Sequence, residues 1–176
     1  MNIYKTIVLT SLLLGVSQPA QAEELELKYG ANTVDINADG LDDIIVKSRW
    51  ENGNAHSFDR YLILAHLKGE HNLNGFYEIP LGDRANYSFT TSEGADCILT
   101  DYKFAKNESG FLKVTKYARN HGENYASDEH VTITNYVFAD SIKDEGFSIG
   151  FPILYLKKTS ENITNKKYCD VRDLMN

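Results

Sequence analysis

The sequence predicts a mainly β domain, with antiparallel strands in a sandwich or an open barrel and at most one or two short helices. Three observations carry this. Apolar, aromatic and β-branched residues alternate with polar ones in several segments. Turn-rich stretches such as "ENGNA", "LGDRAN" and "RNHGENYASD" separate those segments. Beyond the first residues, no window holds a helical period for more than two turns.

The opening "MNIYKTIVLTSLLLGVSQPAQA" places Lys5 before an apolar run from Ile7 to Val16, followed by Ala20-Gln21-Ala22. A positive start, a short apolar run and a small-x-small site form an export signal, residues 1–22, with cleavage after Ala22 and a periplasmic destination. The run is too short to span a bilayer, which takes about 20 residues. No membrane insertion is expected after cleavage. Residues 23–176 then suit one β-rich domain with its own core. Without Lys5 that domain carries 17 basic and 25 acidic groups, a net charge of −8. Such a surface argues against nucleic acid or an anionic membrane as partner.

The first feature of the domain is "VDINADGLDDIIVKSRW", residues 34–50. Asp35, Asn37 and Asp39 alternate, Gly40 follows, and Asp43 comes next in step, which is the spacing of a calcium loop. The Leu41 carbonyl would be a further ligand. An EF-hand needs an acidic twelfth residue, and here that residue is Val46. The loop resembles instead the one that precedes an apolar strand in FG-GAP repeats. A turn held by Asx hydrogen bonds without a metal explains the same spacing, so calcium in a structural role and a metal-free turn both stay open.

The strand leaving the loop puts Val46, Ser48 and Trp50 on one face and Lys47 and Arg49 on the other. It leads into "ENGNAHSFDR" and then "YLILAHL", apolar on both faces and so expected as a buried central strand. Lys47, Arg49, Trp50, Asn54, His56, Asp59, Arg60 and Tyr61 gather cations, an aromatic surface and hydrogen-bonding groups in one short segment of an acidic chain. That composition suits the capture of a small anion. An ordinary solvated loop beside a core tryptophan would look the same.

Further on, "DCILTDYKF" (96–104) and "FLKVTKYAR" (111–119) flank a Gly-containing connection and read as a hairpin. Residues 129–138 alternate as a strand. Residues 147–157 make another, with Pro152 suggesting an edge or a bulge. The tail "KKYCDVRDLM" reads as one short helix. Two cysteines, Cys97 and Cys169, are expected to pair in an oxidising compartment. The bridge would tie a central strand to the tail and contribute roughly 4 kcal/mol in the chain-entropy account.

The stretch Arg49-Trp50-Glu51-Asn52, then Asn54-Ala55-His56-Ser57-Phe58-Asp59-Arg60-Tyr61, in an exported, cysteine-paired β-rich chain, resembles the CarG-type carbapenem self-resistance proteins. The likeness is strongest over residues 30–65 and agrees in length and export elsewhere. It implies a periplasmic protein that protects a carbapenem producer from its own antibiotic, by binding rather than hydrolysis, as a homodimer. No catalytic residue carries over. The residues agree: no Ser-x-x-Lys tetrad for a serine β-lactamase occurs after residue 22. The histidines at 56, 66, 71, 121 and 130 lack the spacing of a zinc enzyme of that class. Two other readings remain: a metal-assisted hydrolase using the acidic loop or His56 with Ser57, and a periplasmic inhibitor or immunity-type module that binds a protein.

Overall fold

The computed structural model describes residues 23–53, 56–82, 89–94, 96–144, 150 and 152–175. The export signal and Asn54 lie outside them. Alternating apolar residues generate two antiparallel sheets packed face to face, the sandwich alternative rather than a closed barrel. The smaller sheet runs β2 (Gly30–Val34), β3 (Asp43–Glu51), β4 (Ser57–Lys68) and β5 (Asn74–Glu78), with β6 (Phe89–Thr90) also on β4. The larger runs β1 (Glu23–Glu24), β8 (Ile98–Lys106), β9 (Leu112–Ala118), β10 (Glu129–Asp140) and β11 (Leu154–Tyr168), with β7 (Ser92–Glu93) on β8. A single helical turn, α1 (Ser141–Asp144), and two 3-10 turns at Glu70–Asn72 and Val171–Leu174 complete the described chain.

The inner faces meet in one core. Ile45, Tyr61, Ile63 and Leu67 of the smaller sheet pack against Tyr102, Phe104, Leu112, Val114, Leu154 and Leu156 of the larger. Tyr61 contacts both Tyr102 and Phe104, with ring centroids 6.0 and 4.9 Å apart. β4 is central, with β3 on one side and β5 and β6 on the other. Its second apolar face, Leu62 and Leu64, is only half-buried, because no layer among the described residues covers it.

Two expectations shift. Of the strand read at 147–157, residues 147–149 and 151 lie outside the described residues, and the described strand runs from Leu154 on to Tyr168. Its second half is polar and exposed, since among the described residues that half pairs only with β10, whereas Leu156 in the first half also bridges Leu81. The tail helix shortens to the 3-10 turn Val171–Leu174, capped by the Asp170 carboxylate, which accepts from the Arg172 N–H at 2.8 Å. Cys97 and Cys169 are bonded, with Cα atoms 5.6 Å apart, joining the entry of β8 to the end of β11.

Candidate functional site

The register of β3 on β4 decides what the segment 47–61 can do. Arg49 lies opposite Asp59 and Lys47 opposite Tyr61, and all four belong to the inner face. Trp50 pairs with Phe58 and Ser48 with Arg60 on the outer face. The sequence-predicted residues therefore form two groups on opposite sides of one sheet.

The inner group is a charge network at one end of the sandwich. Asp59 is buried and accepts from Arg49 at 3.1 Å and from the Tyr29 hydroxyl at 3.0 Å, while Lys47 approaches its other oxygen at 3.4 Å. Arg49 also donates to Glu51, to the Ser57 hydroxyl and to Glu93, the last at 3.3 Å. The Ser57 hydroxyl in turn donates to Glu93. Arg172 reaches Asp101 at 2.6 Å and Glu93 at 3.9 Å. His56 sits beside this network, its Nδ1 3.0 Å from the Glu93 carbonyl and its ring 5.6 Å from that of Tyr125.

Arg49 is thus neutralised three times over by carboxylates, two of them nearly buried. Removing it takes the shared guanidinium from two nearly buried carboxylates, leaving Asp59 to Lys47 and Tyr29 and Glu93 to Ser57 and the distant Arg172. Arg49→Ala is expected to cost about 2–3 kcal/mol, the lower end for a broken buried pair because the guanidinium is itself partly exposed. Chemical denaturation of the variant beside the parent checks this. An unchanged midpoint would mean that the network contributes nothing net.

Lys47 is less committed. Its ammonium lies 4.8 Å from the Tyr29 ring centroid and 5.6 Å from that of Tyr61, with one long contact to Asp59. It opens onto a small cavity of about 100 Å³ between the sheets, shared with Tyr61, Tyr102, Lys103 and Phe104. Burial, with Asp101 next, pushes the Tyr61 phenol well up, and burial pushes that of Tyr102 up to about 12. Both stay protonated at neutral pH.

The outer group is different in kind. Arg60 stacks over Trp50 at 4.9 Å, and Trp50 is 51% exposed. Around them Ile44 faces Leu64, Val46 faces Leu62 and His66 stacks on Phe76 at 4.6 Å. This is an apolar sheet face, not a pocket.

The acidic loop folds on its own N–H groups. Asp39 accepts from Leu41 N–H at 2.7 Å, Asp35 from Gly40 N–H at 3.1 Å, and the Asn37 amide from Asp39 N–H at 3.2 Å. Gly40 supplies the left-handed turn, with φ 81°. Asp43 faces inward, fully buried, and receives Ile36 N–H at 2.7 Å and His66 N–H at 2.6 Å. Asp35 Oδ1 is buried without a protein partner. Among the described residues, no group of three or more His, Cys, Asp or Glu side chains is placed to hold a metal ion. The loop residues as disposed cap strands.

A roomier cavity of about 380 Å³ lies beside that loop, lined by Asp39, Glu70, Phe111, Phe138, Asp140 and Lys143 among others. Lys143 is held by Glu70 at 3.1 Å and Asp140 at 3.3 Å. Three carboxylates against one lysine make it a poor receptor for an anion.

Residues 27–176 match the family described as carbapenem resistance protein CarG-like. The chain belongs to the CarG-like family. A solved structure, the crystal structure of CarG, superposes with a TM-score of 0.70 at 21% identity, covering 86% of this chain and 92% of that one. At that identity the likeness speaks for the fold. No curated protein matches the chain significantly. Membership makes the protein a carbapenem resistance protein. Which residues meet an antibiotic is a separate question. Glu93, Tyr29, Lys103 and Arg172, which complete the inner network and its cavity, are isolated charges or rings in the sequence and give no local signal.

Proposed function

We propose that the protein confers carbapenem resistance by binding the antibiotic, without opening its lactam ring, in the periplasm. The observation that carries this is membership of the CarG-like family over residues 27–176. The site chemistry supports the non-hydrolytic half. Ser57, the serine next to a histidine, is buried, and its hydroxyl is tied to Glu93 and Arg49. Export is supported by the pattern of residues 1–22 and by a disulfide that suits an oxidising compartment. In a carbapenem-challenged sensitive host, the protein should allow survival while intact antibiotic stays in the culture. Disappearance of the antibiotic as ring-opened product would overturn the reading.

The outer face of the smaller sheet favours a homodimer. Ile44, Val46, Trp50, Phe58, Leu62, Leu64 and Phe76 form an apolar surface with few charges, and an identical face is its natural complement in a two-fold contact. Leu62→Asp should convert the dimer to a folded monomer by size-exclusion chromatography with light scattering. A parent that elutes as a monomer at micromolar concentration would remove the proposal.

A further inference from the structure

The inner end of the sandwich holds a second cation that the segment 47–61 does not include. Lys103, on β8, lines the same cavity as Lys47, with Tyr61, Tyr102 and Phe104 around them. Both lysines and three aromatic residues line one opening in a chain whose net charge is −7. We propose that the Lys47–Lys103 cavity takes the carboxylate of a small ring-bearing monoanion, and that the Glu24 carboxylate holds the place until that ligand arrives.

The occupants of each lysine give the reason. Lys103 donates to Glu24 at 2.8 Å and to the Met175 carbonyl at 3.0 Å. Glu24 belongs to β1, and its side chain is 62% exposed. An ion pair that exposed is worth little, so a better-placed carboxylate displaces it at small cost. Lys47 shares Asp59 with Arg49 and Tyr29, so Asp59 stays satisfied when Lys47 turns to another anion. The protonated Tyr61 phenol lines the cavity as a donor for a carboxylate oxygen, and the Tyr61, Tyr102 and Phe104 rings offer flat apolar walls.

Size limits what enters. The cavity, about 100 Å³ and open to solvent, has room for a carboxylate and the first atoms of its ring. A carbapenem carries its carboxylate directly on an unsaturated five-membered ring, so that edge fits and the remainder of the bicycle stays at the mouth. The assignment of the ligand as an antibiotic rests on the function proposed above; the assignment of the cavity as a carboxylate site does not.

The test titrates purified protein with a carbapenem, with cyclopent-1-ene-1-carboxylate and with the corresponding carboxamide, following heat of binding and amide chemical shifts. Both carboxylates should bind and the carboxamide should not. Lys103→Ala and Lys47→Ala should each weaken binding by about tenfold or more, the usual loss for one charge-assisted contact. Glu24→Gln, far from the core, should strengthen it, which a structural role for these residues would not produce. If the carbapenem binds the parent and both lysine variants equally, the cavity proposal is wrong and the antibiotic reading stands. If the carbapenem fails to bind while the simple carboxylate binds in a Lys103-dependent way, the cavity stands and the antibiotic reading falls. If neither carboxylate binds, both fall.

Discussion

Asp43→Ala is expected to lower stability by about 2–6 kcal/mol, since it leaves one buried and one part-buried N–H donor unpaired at about 1–3 kcal/mol each. The register Ile44 to Leu64 puts His66 opposite residue 42, beyond the start of β3. The chain offers no backbone partner there, and the Asp43 side chain accepts His66 N–H instead. Its other oxygen accepts from Ile36, the buried residue that closes the acidic loop onto the core. In a domain of this size the loss corresponds to a melting temperature lower by roughly 4–24 °C. Asp43→Asn should fall between, because its amide accepts one N–H but presents a donor to the other. Burial, more than the neighbouring Asp39 and Asp35, pushes the Asp43 carboxyl above its ordinary value. The folded state therefore holds that proton more tightly than the unfolded chain. The associated stability is full below the ordinary carboxylate range and is lost as pH rises through the raised value, a component that both variants should lack. A melting temperature unchanged in Asp43→Ala would contradict the assignment.

Reduction of the Cys97–Cys169 bond is expected to cost about 4 kcal/mol through the unfolded chain alone, given a separation of 72 residues. The native tail should stay in place. Arg119 donates to the Cys169, Asn120 and Tyr125 carbonyls, Val171 is fully buried, and Arg172 holds Asp101. The folded spectrum should thus survive reductant at room temperature while the melting temperature drops by roughly 8–16 °C. The Cys97→Ala/Cys169→Ala double variant should behave like the reduced parent. Coincident melts with and without reductant would show that the bond does not constrain the chain.

β4 was legible because apolar residues on both of its faces go with a central position in its sheet, one side on the core and the other a half-buried outer face. β11 was not, because an edge strand paired on one side carries "TSENITNKK" in its exposed half and offers no hydrophobic alternation. Strand alternation placed Lys47 and Arg49 opposite Trp50, and the register bears that out. What alternation could not supply was occupancy. Arg49 read as a cation free for a ligand, while the carboxylate of Glu93 that shares it lies 44 residues away. Distance in sequence also hid Lys103, an ordinary residue of a hairpin until the sheets close and set it in one cavity with Lys47.

Binding without hydrolysis is decided by what a carbapenem does when it meets the pure protein. Calorimetric titration, followed by ultraviolet absorbance of the same sample over hours, reads binding and lactam opening together. A protein that sequesters the antibiotic shows saturable binding with the lactam chromophore undiminished relative to buffer and intact antibiotic recovered on denaturation. Loss of the chromophore at a rate proportional to protein concentration would contradict sequestration.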